Sequence, residues 1–246
     1  MAMFRTIVLV AGLVGLVAGL LLTGLQAFTT VPLILEAELY ESGAGGHDHA
    51  SHDHGTGTAT DHDAGVIPAT DAAVEEEGWA PADGAERWLF TAIANVLTGI
   101  GFALLLGAAA ELKGGIRSWR QGVFWGLAGF AVFTLAPGLG LPPELPAMPA
   151  GDLGDRQVWW VMTVVLTAGG IALLAFGRTI PLSLLAVALI VAPHVIGAPQ
   201  LASFESPIPE GLHHDFVVAA VATSFVFWVA IGGLTGLVRN RLATPV

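Results

Sequence analysis

The chain has 246 residues, no cysteine, 54% hydrophobic residues and only 12% charged residues. A soluble globular domain carries about 25% charged residues, so this chain has too few charges to cover a water-exposed surface. The lack of cysteine excludes a disulfide scaffold and a cysteine-ligated metal site. The formal net charge of −11 argues against nucleic acid as a partner, because binding to phosphates requires clustered basic residues.

Long windows without charged residues predict membrane-spanning helices. Six windows contain no Lys, Arg, Asp or Glu: residues 6–35, 88–110, 121–143, 157–177, 179–204 and 216–238. A bilayer core of about 30 Å is crossed by roughly 20 apolar residues of α-helix, and every window reaches that length. We therefore predict an all-α integral membrane protein, a single polytopic domain over 1–246, with a bundle of six transmembrane helices. Their predicted bounds are about 6–31, 88–110, 121–140, 157–177, 179–197 and 216–238. The alternative for the first window is a cleaved signal peptide, but its apolar stretch is longer than a typical signal core.

The basic residues predict the orientation of this bundle. With six spans, seven basic residues share one side: Arg5, Lys113, Arg117, Arg120, Arg178, Arg239 and Arg241. Only Arg87 and Arg156 fall on the other side, so the positive-inside rule places both termini in the cytoplasm. The acidic residues other than Glu111 fall outside, giving charges of +6 on the inner face and −17 on the outer face. An outer surface of this sign attracts cations.

The first outer loop, residues 42–87, is rich in His and Asp. Gly, Ala, Ser, Thr, Asp and His dominate its sequence, which predicts disorder in the absence of a ligand. Five of the 8 histidines of the chain lie in it, namely His47, His49, His52, His54 and His62. Imidazole binds Ni²⁺, Co²⁺, Zn²⁺ and Cu²⁺, so we predict a loop that gathers divalent transition metals without selecting among them. The alternative is a low-complexity solvated loop with no such role.

Acidic residues lie where the predicted helices reach the outer surface. Glu36, Glu38 and Glu41 follow the first window, and Glu144 lies in the second outer loop, 138–155. If the helix continues past Pro32, Glu38 and Glu41 share one face, being three residues apart. We predict that these four glutamates form an acidic vestibule that accepts cations from the histidine loop. The alternative is an ordinary acidic helix end in solvent.

Three further histidines lie close to the predicted spans. His194 lies inside an apolar window after Pro193, and an ionisable residue at membrane depth often marks a transport pathway. Pro193 also frees a backbone carbonyl, which is tolerated where the carbonyl lines a cavity. The alternative for His194 is a neutral side chain bonded to a neighbouring helix. His213 and His214 precede the last span and are either a second metal contact or a polar helix start.

Other intramembrane residues predict packing and not chemistry. Gly15 and Gly19, Gly122 and Gly126, and Gly232 and Gly236 have the GxxxG spacing that lets helices approach closely, as does the row Gly99, Ala103 and Gly107. Gln26, Asn95 and Gln157 are the polar residues expected to hydrogen-bond between helices. The sequence contains no GxxxxGK[ST], HExxH or GxSxG motif, and we predict neither an enzyme nor a prosthetic group.

Several short motifs together resemble the CbtA family of probable cobalt transporter subunits. They are PLILEAELYE at 32–41, AP at 136–137 with GLPPELP at 140–146, RQVWW at 156–160, and APH at 192–194 with GAP at 197–199. The resemblance extends over nearly the whole chain. It implies a multi-pass protein of the bacterial inner membrane, linked to cobalt supply for cobalamin synthesis. It also implies a small partner, CbtB, with one membrane span and its own histidines.

The function that we predict from these observations is uptake of a divalent transition metal. Co²⁺ is the preferred substrate, and the partners are the lipid bilayer, the metal ion and the CbtB-like subunit, with no nucleic acid. Two alternatives remain open. One is a membrane metal receptor or scaffold that does not transport, because the spans do not supply three or four ligands. The other is a nickel or zinc transporter of the same architecture.

Overall fold

The computed structural model describes residues 2–44, 81–82, 84–200 and 205–243, and every regular element in these ranges is helical. The elements are α1 (Ala2–Phe28), α2 (Thr30–Ala44), α3 (Ala85–Glu111), α4 (Trp119–Phe130), a π-helical segment (Ala131–Leu135), α5 (Ala136–Gly140), α6 (Leu153–Phe176), α7 (Ile180–Ile196) and α8 (Glu210–Ala243). The predicted all-α class is confirmed. The five histidines of the first outer loop lie outside the described residues, and so does the prediction of disorder there.

Within the described ranges, five helices are long and apolar enough to cross a membrane: Phe4–Phe28, Ala85–Glu111, Trp119–Gly140, Leu153–Phe176 and Glu210–Arg241. The remaining predicted span corresponds to α7, which has 17 residues. At 1.5 Å per residue it measures about 26 Å, shorter than the roughly 30 Å hydrocarbon core. It ends at Gly197, whose φ of 86° suits glycine and stops the helix. The count of six spans stays a prediction.

The first predicted helix is two helices that meet at Thr29. The Thr29 amide donates to the carbonyls of both Leu25 and Gln26, at 3.1 and 3.3 Å, where α1 ends. Pro32 follows in the first turn of α2, and it has no N–H to donate to the Phe28 carbonyl. The helical path nevertheless continues to Ala44, beyond the predicted residue 31.

The helices pack most closely as the pairs α1–α3, α4–α8 and α6–α7, and α1 also packs on α8. Glycines lie where the paired helices approach each other. A Cβ atom on Gly99 of α3 would lie 2.7 Å from the Gly15 carbonyl oxygen of α1. On the other pair, a Cβ on Gly232 of α8 would lie 2.8 Å from the Gly126 Cα of α4. The predicted small-residue contacts between helices are therefore present.

Two clusters of buried hydrophobic residues define the interior. The main core lies along α1, α3, α4 and α8 and includes Val14, Leu106, Trp228 and Ile231. A smaller cluster, which we call the cap, joins α2, the second outer loop and the start of α8. It consists of Ala37, Leu145, Ile208, Leu212 and Phe216.

The two ends of the bundle differ in the charged residues that they carry. We call the end that carries the cap, Glu38, Glu144 and His213 the acidic end. At the opposite end, which we call the basic end, Arg239 of α8 forms an ion pair with Glu111 of α3. Lys113 lies there too, with Nζ 4.4 Å from the centre of the Phe176 ring at the end of α6. Glu111, Lys113 and Arg239 thus lie at one end of the structure.

Candidate functional site

Glu38 is held at the acidic end by an arginine from another helix. The cap buries Ala37 of α2, which positions the neighbouring Glu38 beside the first turn of α3. Arg87 of that turn forms an ion pair with Glu38, and its Nη1 donates to Glu38 Oε2 at 3.2 Å. Both side chains are about one third exposed, at 34% and 35%. The charge of Glu38 is therefore compensated locally while it still reaches solvent.

Glu144 is paired in the same way. Asp152 caps α6 by accepting a hydrogen bond from the Asp155 amide at 3.0 Å, which starts the helix and places Arg156 in its first turn. Arg156 Nη2 donates to Glu144 Oε2 at 2.8 Å. Arg87 and Arg156 are the only basic residues assigned to the outer side by the sequence, so each is paired with a predicted vestibule glutamate.

The remaining predicted acidic residues and the histidines of α8 have different surroundings. His213 Nε2 lies 3.2 Å from the Pro143 carbonyl oxygen and so links α8 to the loop that carries Glu144. Glu36 and His214 are exposed. Glu41 lies in α2, but its side chain is outside the described part. The structure thus brings together Glu144 and His213 through one loop.

His194 lies near the end of α7 and packs against α6. Its ring is edge-on to the Trp159 ring, with centroids 6.2 Å apart. Trp159 is buried, and its Nε1 donates to the Pro193 carbonyl at 3.2 Å. That carbonyl also accepts the Gly197 amide at 3.0 Å. His194 is half-buried at the α6–α7 contact, close to the acidic end.

In the part of the chain that the structure describes, no three or more His, Asp or Glu side chains form a group that could hold a metal ion. The predicted ligand set from the histidine loop is outside that part. The roles of the predicted metal residues therefore stay predictions, and in this structure Glu38 and Glu144 form ion pairs with arginines.

A polar cavity lies between the cap and the main core. Its volume is about 330 Å³. Its polar lining is neutral and consists of Gln26, Thr30, Thr98, Thr134, Thr223 and Ser224. We call it the hydroxyl cavity. A second cavity, of about 500 Å³, lies between α3, α4 and α6, but its walls are almost wholly apolar. Of the two, the hydroxyl cavity has the oxygen atoms that can face a cation or its water.

Interhelical hydrogen bonds organise the hydroxyl cavity. Asn95 Nδ2 donates to Gln26 Oε1 at 2.7 Å and joins α3 to α1. The hydroxyls of Thr29 and Thr223 lie 3.2 Å apart and join the α1–α2 junction to α8. This site was not among those predicted from the sequence. The available signal was a hydroxyl residue inside each of several apolar windows, close to Pro32 in one and to Pro137 in another.

Comparison with known proteins gives one match. A family model described as "Probable cobalt transporter subunit (CbtA)" matches residues 4–240. No curated protein and no solved structure matches the chain.

Proposed function

Because this chain belongs to the CbtA family of probable cobalt transporter subunits, we propose that it carries a divalent transition metal, with Co²⁺ preferred, across the bacterial cytoplasmic membrane into the cell. The observation that carries this proposal is the family match over residues 4–240. The five apolar helices support a multi-pass membrane protein. In the full proposal α7 is a sixth, shorter span, both termini are cytoplasmic, and the acidic end faces outward.

The proposed route begins at the histidine loop. His47, His49, His52, His54 and His62 raise the local metal concentration outside the membrane. Glu36, Glu38, Glu41 and Glu144 then attract the ion to the acidic end, where His213 and His214 offer further contacts. His194 lines the opening of the bundle. The pairing of Arg87 with Glu38 and of Arg156 with Glu144 weakens the binding of cations by these carboxylates. An arriving ion is therefore attracted but can still dissociate.

The membrane potential suffices in principle to drive this transport. A potential of 100 mV, negative inside, contributes about 2.3 kcal/mol per charge, and hence roughly 4.6 kcal/mol for a divalent ion. The sequence has no P-loop motif for a nucleotide, so the proposal places no ATP hydrolysis in this chain.

Transport by the purified protein tests the proposal. The chain is reconstituted in proteoliposomes with a potassium diffusion potential, with and without the small single-span partner, and Co²⁺ entry is followed by an internal dye. We expect entry above that of protein-free vesicles, and stronger entry when the inside is more negative. Absence of Co²⁺ entry in both preparations would overturn the transporter proposal. Competition by Ni²⁺ and Zn²⁺ measures the metal preference.

A second candidate function is a membrane metal receptor that hands ions to a separate transporter. The observation that favours it is the absence, within the described residues, of three or more metal-ligating side chains in one group. A receptor would bind Co²⁺ in detergent with the loop intact and yet give no entry in proteoliposomes. The same two measurements therefore separate the two functions.

A further inference from the structure

We propose that the hydroxyl cavity is a transit site for a divalent cation that keeps its own shell of water. This inference rests on the proposed transport function and names a site inside the bundle where the ion binds transiently. The cavity lies between the cap and the main core, away from the carboxylates of the acidic end. Its lining side chains come from α1, α2, α3, the π-helical segment and α8.

Two of the hydroxyl residues that line the cavity are buried. Thr30 and Thr223 are only 6% and 5% exposed, and both line the cavity. A hydroxyl buried in an apolar setting costs free energy unless it finds a hydrogen-bond partner, so several hydroxyls around one space favour a polar occupant. The Thr223 hydroxyl already contacts that of Thr29 and the Thr134 hydroxyl accepts from Trp228 Nε1 at 3.3 Å, but each hydroxyl oxygen has two lone pairs and so keeps capacity to face water or a hydrated ion.

Two helix irregularities border this one cavity. Thr30 begins α2 directly after the break at Thr29. Thr134 lies in the π-helical segment, where the Ala136 amide donates to the carbonyl of Ala131, five residues earlier. Pro137, which lacks an N–H, explains the change of register at that point. Broken helices and π-bulges are both frequent at functional sites, and in transporters broken helices surround the substrate.

The chemistry of the lining indicates what form the ion takes. Its polar atoms are hydroxyls and amides, with no carboxylate or imidazole among the lining residues. Neutral oxygens compensate a bare divalent charge poorly in a low-dielectric interior, so the ion keeps its water. At about 30 Å³ per water molecule, 330 Å³ holds roughly ten waters, enough for an ion and its first shell. Weak contacts of this kind also allow the ion to leave, as conduction requires.

Apolar side chains border the cavity towards both ends of the bundle. Towards the acidic end it is bounded by Ile34 and Phe216, which belong to the cap or pack on it. Towards the main core it is bounded by Phe102, Phe133 and Trp228, whose ring centroids lie 4.6 to 5.6 Å apart. Large apolar side chains therefore flank the hydroxyls of the lining on both of these sides.

Substitutions that remove hydroxyls from the cavity lining but keep the shape of the side chains test the proposal. The double variant T30V/T223V keeps the side-chain volume and removes two oxygens. We expect its Co²⁺ uptake in proteoliposomes to fall by about tenfold or more, because waters of the ion lose two hydrogen-bond acceptors. Equilibrium binding of Co²⁺ to the solubilised protein through the histidine loop should stay unchanged.

The matched control is Thr235→Val. Thr235 is also buried in α8, but its hydroxyl donates a hydrogen bond to the Ile231 carbonyl of its own helix at 2.7 Å. Parental uptake by the double variant, with the control equally unaffected, would overturn the proposal.

The absence of cysteine provides a second readout that does not depend on transport. Ser224→Cys places one thiol in the cavity lining, and Thr235→Cys places one outside it. We expect a small water-soluble thiol reagent to label Ser224→Cys faster, and Co²⁺ to slow that labelling. Equal labelling at both positions, or no effect of Co²⁺, would contradict a hydrated cation site. If the parental protein shows no uptake, the proposed function fails while this labelling result still decides the cavity.

Discussion

Arg156 donates a hydrogen bond to Glu144 at 2.8 Å, and Arg87 pairs with Glu38 at the same end of the bundle. The outer arginines assigned by the sequence are thus bound to two of the glutamates that we expect to attract metal. In the proposed route, an ion that approaches competes with a guanidinium for each carboxylate. We expect this competition to set how strongly the acidic end retains a cation.

Removal of Arg156 should strengthen cation attraction at Glu144. The Arg156 and Glu144 side chains are 22% and 28% exposed, and exposed ion pairs contribute only about 0–1 kcal/mol to stability. Arg156→Gln should therefore fold normally and lower the KM for Co²⁺ uptake by about two- to fivefold. Arg178→Gln, which removes an exposed charge outside the acidic end, serves as the control. A KM that rises or stays constant in Arg156→Gln would exclude a role of Glu144 in cation capture.

The indole of Trp159 should stabilise the α6–α7 pair through the Pro193 carbonyl. Trp159→Phe keeps an aromatic ring and removes the Nε1 donor, while the carbonyl retains the Gly197 amide. We expect a loss of about 1 kcal/mol in the free energy of unfolding, measured in detergent by chemical denaturation. Trp160→Phe is the control, because Trp160 is 38% exposed. An equal effect at both positions would mean that the hydrogen bond contributes nothing specific.

His194 should affect transport more than stability. Its ring packs edge-on against Trp159 near the acidic end, where it is half-buried, and we propose that it lines the path of the ion. We expect His194→Ala to reduce the rate of Co²⁺ uptake severalfold and to leave the unfolding midpoint close to that of the parent. His194→Gln, which keeps hydrogen-bonding capacity, should retain part of the rate. Unchanged uptake in His194→Ala would remove this residue from the pathway.

The positions of the charge-free windows predicted the helices, because a bilayer sets a minimum length for a spanning helix, while the count of six spans stays a prediction. The break at Thr29 and the continuation of α2 were harder to predict from the sequence, because Pro32 can end a helix or begin a new one. Here Leu33, Ile34 and Tyr40 pack against the cap, and this tertiary contact explains why the helix continues. Such contacts are not visible in a single window.

The candidate site was less predictable than the fold. Glu38 and Arg87 are 49 residues apart in sequence, so their pairing depends on how α2 meets α3. The hydroxyl cavity depends even more on contacts between residues that are distant in sequence. Thr30, Thr134 and Thr223 come from three distant segments, and each alone is an ordinary threonine in an apolar helix. Only the packing of α1 and α2 against α8 and the π-helical segment brings their side chains to one space.

Close contact between α4 and α8 should depend on glycine. A Cβ atom on Gly232 would overlap the backbone of Gly122 and Gly126, so Gly232→Ala must push the helices apart. We expect a loss of about 1–3 kcal/mol in the free energy of unfolding, as for overpacked cores. Gly101→Ala on α3 meets nothing within 4 Å and is the matched control, expected to be neutral or stabilising. Equal stability of the two variants would contradict the packing of α4 on α8.

Deletion of residues 44–65 should matter most when metal is scarce. If the loop only raises the local concentration of ions, its loss raises the KM for Co²⁺ and leaves the maximal rate unchanged, because a saturated transporter gains nothing from a reservoir. Uptake in proteoliposomes over a wide range of Co²⁺ concentrations measures both quantities. A variant with the five loop histidines changed to serine keeps the length of the loop and separates metal binding from chain length. Its KM should rise as in the deletion. An equal loss of uptake at all concentrations would instead mean that the loop takes part in the transport step itself.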